Sequence, residues 1–276
     1  MHGIGAEVES AMRRRLWRLF GEDGRSVIIA LDHGLFTTRL QGFTDPAALL
    51  KTICRAGADA ILTTYGLALR YADAIAGCGL ILRLDAATTI ADHGFSACQQ
   101  LFAPDVALRL GADAVAFMAF HQHPHEAEMI QRGAHIISEA HALGLPVMAE
   151  ILPGGYEANP ENSTSSALVA ACRIGLEIGA DFIKTRYAAD DGFERVVAAA
   201  GVPVTILGGP RNERDLDLLR MVQQAVNAGA AGVALGRNVW QHPHPERMVA
   251  ALRAVVHDGR TADEALQLLS EQVASR

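Results

Sequence analysis

Four short stretches of this chain repeat one pattern. "GADA" occupies Gly57–Ala60 and again Gly111–Ala114, "GADF" occupies Gly179–Phe182, and "GAAG" occupies Gly229–Gly232. Each closes a helix-like stretch and opens an apolar run. A second echo, "GLPV" at Gly144–Val147 and "GVPV" at Gly201–Val204, also opens apolar runs. Glycine suits the left-handed turn after a helix, and proline suits the first position of a strand. The repeats therefore mark successive helix-to-strand junctions.

Laid end to end, eight runs read as strands: "SVIIALDHG" from Ser26, "AILTTYG" from Ala60, "GLILRLD" from Gly79, "AVAFMAF" from Ala114, "PVMAEIL" from Pro146, "FIKTRY" from Phe182, "PVTILGG" from Pro203 and "GVALGRN" from Gly232. Helix-like segments such as "DPAALLKTICRAG" and "RMVQQAVNAG" lie between them. Nearly continuous apolar strands alternating with helices predict a parallel sheet covered on its outside. Eight such units in 276 residues predict an α/β fold, a single (β/α)8 TIM barrel. A doubly wound open sheet would bring a Gly-x-Gly-x-x-Gly first turn, and "ALDHGLF" is not one. The arginine-rich "ESAMRRRLWRLF" predicts an amphipathic helix that covers the bottom of the barrel. The expected division is an N-terminal helical extension over 1–25 and the barrel over 26–276.

Composition narrows the function. A net charge of −7 gives no general support for nucleic-acid binding, so any anion site must be built locally. The start "MHGIGAEVES" shows no signal-peptide pattern, and no run of about 18 apolar residues suggests a membrane span. Cys54, Cys78, Cys98 and Cys172 are scattered without a Cys-x-x-Cys, which fits reduced thiols. A cytoplasmic location is expected.

Lysine stands only at Lys51 and Lys184 among 24 basic residues, so arginine supplies nearly all the positive charge. Arginine stays protonated, whereas a buried lysine can become an amine nucleophile. Lys184 lies within the apolar run "FIKTRY", and lysine is rarely buried unless paired or used. The bland alternative is a strand-end lysine snorkelling to water. Barrel chemistry gathers at the C-terminal ends of the strands. Those ends carry Asp32, His33 and Gly34; Thr63, Thr64 and Tyr65; Arg83 and Asp85; His121; Glu150; and Lys184, Arg186 and Tyr187. A lysine there can form a Schiff base with a ketone, and the iminium acts as an electron sink for the adjacent carbon–carbon bond. Asp32 and Glu150 are the carboxylates placed to move protons, with His33 beside them. Met148, Glu150 and Leu152 share one strand face. A salt bridge from Glu150 to a strand-end arginine is the structural alternative.

Strands 7 and 8 end in glycine turns, "LGGP" at Leu207–Pro210 and "LGRN" at Leu235–Asn238. Loops after these two strands often bind phosphate through main-chain N–H groups. Gly208, Gly209, Gly236 and Arg237, with Arg186 and Tyr187 nearby, are thus candidates to hold a phosphorylated substrate. A rival metal reading rests on "HQHPH" (His121, His123, His125) and "HPH" (His242, His244). Prolines interrupt both runs, so the expected metal set is none. A non-catalytic sugar-phosphate sensor would need the glycine loops without Lys184, Asp32 and Glu150 together.

The run "IIALDHG", then "GADFIKTRY", "LGGP" and "GVALGRNVWQ", resembles the archaeal-type class I fructose-bisphosphate aldolases and their bacterial relatives. The resemblance covers all eight strands. It implies a Schiff-base lysine at Lys184, an active-site carboxylate at Asp32, and a phosphate site at Gly208, Gly209, Gly236 and Arg237. It implies no cofactor, no nucleic-acid or membrane partner, and a homo-oligomer, in relatives up to a decamer. One motif departs. Family aldolases and the related aminodeoxyheptulosonate synthases carry Tyr-Pro-Arg-Gly after strand 5, with the tyrosine as proton donor. Here the stretch is "LPGG", with Leu152 in its place and Glu150 as the expected substitute. A strand-5 glutamate resembles the tagatose-bisphosphate aldolases. The segments "KTRYAADDGFERVV" and "HPHPERMVAALRAVVHDGRTADEA" resemble the autoinducer-2 pathway thiolase, which moves an acyl group from a phosphorylated diketone to coenzyme A. Coenzyme A would be a co-substrate only in that alternative.

Overall fold

The structure is a computed structural model and describes residues 4–36, 41–86, 98–156, 161–188, 190 and 192–270. The outermost residues of the expected division, 1–3 and 271–276, lie outside the described residues. The barrel strands are β1 (Ser26–Leu31), β2 (Ala60–Thr63), β3 (Gly79–Arg83), β4 (Ala114–His121), β5 (Val147–Pro153), β6 (Phe182–Thr185), β7 (Val204–Ile206) and β8 (Gly232–Leu235). All eight pair in parallel with their sequence neighbours, and β8 closes the barrel on β1. The (β/α)8 barrel is therefore the fold. One sequence run divides: after β3 the chain leaves the barrel at Asp85–Ala86, which pairs antiparallel with Gln99–Gln100.

The repeated glycines behave as their chemistry demands. Gly57, Gly111, Gly179 and Gly229 have φ between 75° and 98°, a region that penalises a Cβ. The aspartates of the first three repeats reach to the preceding strand. Asp59 accepts from the Val27 N–H at 2.7 Å, Asp113 from Leu80 at 3.0 Å and Asp181 from Val147 at 2.8 Å. Each satisfies a main-chain donor at the bottom rim of the barrel.

Side chains alternate along each strand, so one set faces the helices and the other fills the barrel. The inner set begins apolar, with Ile28, Ala30, Ile81, Ala116, Met148 and Phe182. Helix α1 (Ile4–Phe20) stoppers that end. Leu19 and Phe20 join the inner cluster, and the Phe20 ring meets Phe182 edge-on at 5.3 Å. Arg15 donates to the carbonyls of Gly144 and Ala112, which ties α1 to two junction loops. Toward the C-terminal strand ends the same inner faces turn charged: Asp32 follows Ala30, Arg83 follows Ile81, Glu150 follows Met148 and Lys184 follows Phe182. Among the described residues, no helix is long and apolar enough to cross a membrane.

Candidate active site

The charged layer is buried and ordered by contacts. Arg83 is 1% exposed, Asp32 and Glu150 3%, and Lys184 5%. Burying single charges in a protein interior costs several kcal/mol per ion, so such groups persist only with partners around them. Glu150 and Lys184 are register partners on β5 and β6, with Lys184 Nζ 2.8 Å from Glu150 Oε1. The other Glu150 oxygen takes Arg83 Nη2. Arg83 also donates to Asp32 Oδ2 through Nε at 2.9 Å, and its Nη1 lies 3.5 Å from Asp85 Oδ1. Asp85 in turn accepts from Arg132 at 3.0 Å and from the Met118 N–H at 2.9 Å. Three cations thus interleave with three carboxylates from Lys184 on β6 across to the segment after β3.

These contacts fix the protonation states. Burial pushes Glu150 up, but the Lys184 and Arg83 charges outweigh it and hold the carboxyl below its ordinary value. Asp32 follows the same pattern: burial raises it, and Arg83, Lys184 and His33 bring it lower. Burial raises Asp85, and Arg83 and Arg132 do not fully reverse this. Burial drives His33 down to about 4 against the pull of Asp32, so its imidazole is neutral at pH 7. The His33 ring sits edge-on to Trp240, 5.4 Å between centroids, with Nδ1 3.5 Å from Asp32 Oδ1. A side chain at Gly236 would overlap the His33 ring, so this glycine seats the imidazole as well as turning the loop.

The loops after β7 and β8 are joined by one side chain. Asn238 donates to the carbonyls of Gly208 at 3.0 Å and Pro210 at 3.1 Å and accepts from the Asn212 N–H at 2.7 Å. A Cβ on Gly208 would press Asn238 and Leu235 at 2.7 Å, while Gly209 turns with φ +63 and faces open space. The buried Arg237 Nε makes no hydrogen bond among the described residues. The Arg237 charge acts on His33 and Tyr156 alike, which puts it over the same mouth.

A family model for DeoC/LacD family aldolases matches residues 26–242, the whole barrel from β1 to beyond β8. The chain belongs to that family. It is 37% identical over 246 residues to the 2-amino-3,7-dideoxy-D-threo-hept-6-ulosonate synthase of Halobacterium salinarum, covering 88% of this chain and 91% of that protein. It is 33% identical over 266 residues to the class 1 fructose-bisphosphate aldolase of Thermoproteus tenax, covering 93% of this chain and 99% of that one. An archaeal fructose 1,6-bisphosphate aldolase structure superposes with a TM-score of 0.82 at 32% identity, over 90% of this chain and 100% of that chain. Another, with its catalytic lysine covalently bound to the carbinolamine intermediate of the substrate, gives 0.80 at 31% identity over 89% of this chain and 99% of that chain. The chain is a class I, Schiff-base aldolase, a lyase.

In this aldolase Lys184, Glu150 and Asp32 meet through Arg83, and His33 adjoins Asp32. Gly208, Gly209, Gly236 and Arg237 stand at the neighbouring strand ends. Two residues expected to touch substrate are turned elsewhere. Arg186 is buried and donates to the carbonyls of Pro153 at 2.9 Å, Gly155 at 2.5 Å and Tyr156 at 3.0 Å, so its guanidinium holds the loop after β5. Tyr187 packs on Phe193 at 5.0 Å and directs its hydroxyl to Gln224 at 3.4 Å. The histidine runs are likewise engaged: His121 with Glu126 at 2.7 Å, His242 with Asp215 at 3.1 Å. Among the described residues, no three His, Cys, Asp or Glu side chains converge as a metal site.

Tyr156 is what sequence reasoning missed, and Arg83, named there at a strand end, proves to be the arginine of the alternative salt bridge to Glu150. Arg83 carried the same signal as Lys184, a charged side chain inside an apolar strand, "GLILRLD". Tyr156 follows "LPGG" and carried only its nearness to the departing motif.

Proposed function

We propose that this aldolase makes or breaks a carbon–carbon bond in a phosphorylated ketose, or a related phosphorylated carbonyl compound, through a Schiff base on Lys184. The observation that carries this is the 2.8 Å contact between Lys184 Nζ and a Glu150 held ionised. An ammonium must lose a proton before it attacks a ketone, and a carboxylate at hydrogen-bond distance is placed to take it. Amine attack gives a carbinolamine. Glu150 then returns the proton to the departing hydroxyl, and loss of water leaves the iminium. Arg83 keeps Glu150 and Asp32 ionised between proton transfers. Asp32, with the neutral His33 at its other oxygen, accepts the proton of the substrate hydroxyl as the carbon–carbon bond breaks. The electron pair of that bond moves onto the iminium and gives an enamine on Lys184.

The loops after β7 and β8 hold the phosphate in this reading. Main-chain donors at Gly209 and Gly236 and the Arg237 side chain supply positive potential in a chain of net charge −7. No cofactor takes part. The test is a panel of substrates: fructose bisphosphate, tagatose bisphosphate, their dephospho analogues, and a phosphorylated diketone with and without coenzyme A. The expected result is cleavage of a phosphorylated ketose to a phosphorylated ketone, unchanged by a chelator. Acetyl transfer that requires coenzyme A would move the reading to the thiolase alternative. Equal rates on phosphorylated and dephospho compounds would overturn the substrate class.

A further inference from the structure

After carbon–carbon cleavage the enamine carbon on Lys184 needs a proton, and the charged layer is poorly suited to give one. Glu150 is ion-paired at both oxygens, and Asp32 is bound to Arg83. Both are held below the ordinary carboxyl value by these cations, so in the resting site neither carries a proton of its own to give.

The loop after β5 brings a different donor to the same mouth. Gly154 and Gly155 have φ of +73 and +135, so the chain reverses directly after the strand. The Arg186 guanidinium fixes that reversal by hydrogen bonds to three carbonyls, the last of them Tyr156 O. The Tyr156 ring stacks on Phe36 with centroids 6.3 Å apart and planes 17° apart. Phe36 is itself buried, and its ring lies 5.6 Å from the Arg83 guanidinium carbon that bridges Asp32 and Glu150. Tyr156 is therefore layered over the charged site and held from its own main chain. Two other tyrosines at strand ends are directed elsewhere: Tyr65 stacks on Phe102 at 4.7 Å, and Tyr187 turns to Gln224.

We propose that Tyr156 is the proton donor to the enamine carbon, and that Arg186 is the residue that positions it. This rests on the Schiff base proposed at Lys184. In the step, the enamine electron pair forms the new C–H bond with the phenol proton. The O–H bond of Tyr156 breaks, the iminium is restored, and the phenolate recovers a proton from water at the mouth. No electrons enter or leave. In the synthetic direction the phenolate oxygen removes the same proton. Burial raises the phenol to about 12, and the Glu150 and Asp32 charges act in the same direction against Arg237 and Arg83, so the group carries its proton at neutral pH.

The test is Tyr156→Phe, which keeps the stack on Phe36 and removes only the proton. Two readouts are taken with one phosphorylated ketone, the one from a panel beginning with dihydroxyacetone phosphate that gives the strongest borohydride adduct. The adduct on Lys184 should form in Tyr156→Phe to within about twofold of wild type, whereas exchange of the ketone's α-hydrogen with deuterated water should fall about 10²–10⁴-fold, the usual contribution of general acid–base catalysis. Arg186→Met should slow exchange while leaving the Lys184 adduct intact, and Arg186→Lys, which keeps a donor for the loop carbonyls, should recover part of that loss. Exchange at the wild-type rate in Tyr156→Phe overturns the assignment to Tyr156 alone. Absence of any Lys184 adduct in the wild-type protein overturns the Schiff-base reading beneath it, and this assignment with it.

Discussion

Glu150 Oε1 and Lys184 Nζ lie 2.8 Å apart at paired positions of adjacent strands, both nearly sealed from solvent. In the proposed mechanism the pair joins a base to the amine it deprotonates. Glu150→Gln keeps the shape, loses the charge and cannot take the ammonium proton. We expect kcat to fall about 10²–10⁴-fold while KM for the phosphorylated substrate changes little. Steady-state kinetics check this, and near-wild-type kcat would reduce Glu150 to a salt-bridge partner.

Arg83 is the cation that lets two carboxylates share one buried layer. Arg83→Met removes the cation that Asp32, Asp85 and Glu150 share and leaves Glu150 with Lys184. Breaking a buried pair from one side costs about 3–5 kcal/mol. Denaturant unfolding should show a loss of that order, and a variant as stable as the wild type would mean that the layer tolerates a neutral residue there.

Which contacts the sequence revealed follows from strand geometry. Alternation along "VMAEIL" placed Glu150 on one face with Met148 and Leu152 without any structure, and Lys184 stood out as a rare lysine inside the apolar run "FIKTRY". A salt bridge from Glu150 to a strand-end arginine was readable as an alternative, but that Arg83 would join Glu150 to Asp32 across the barrel was not. It depends on how strands β1, β3 and β5 stagger as the barrel closes, which no local pattern encodes. Tyr156 was hidden for another reason. Alternation stops at Gly154 and Gly155, whose positive φ redirects the chain. The aspartates of the "GAD" repeats were visible as an echo, but their bonds to Val27, Leu80 and Val147 required the register of strands that precede them in sequence.

Arg237 is expected to recognise the phosphate rather than the reacting carbon. Losing one charge-assisted contact costs about 1.5–3 kcal/mol. Arg237→Ala should therefore raise KM for the phosphorylated substrate about 10–100-fold at that cost and leave a dephospho analogue nearly unaffected. Equal effects on both compounds would count against a phosphate contact.

His257 ties the end of the helix Pro245–Val256 to the barrel's bottom rim, with Nε2 2.8 Å from Asp59 and Nδ1 2.7 Å from Asp23. The bond to Asp59, and then that to Asp23, raise the imidazole above its ordinary value despite burial. A raised folded-state value favours folding most when His257 is protonated. Its contribution is full below the unfolded value of about 6.5 and declines as pH rises through the folded value. Thermal unfolding of wild type and His257→Gln between pH 5.5 and 8.5, taken as about that range, should show a stability difference that shrinks toward alkaline pH. Parallel curves would mean that this histidine does not titrate on folding.

The Schiff base itself is tested by borohydride trapping with a phosphorylated ketone, followed by peptide mass mapping. Reduction of the iminium should add the ketone's mass to the peptide that contains Lys184. The peptide that contains Lys51, on the exposed face of the helix Pro46–Arg55, should stay unlabelled. Lys184→Met should lose both the label and turnover. A label on Lys51, or turnover that survives in Lys184→Met, would contradict the mechanism.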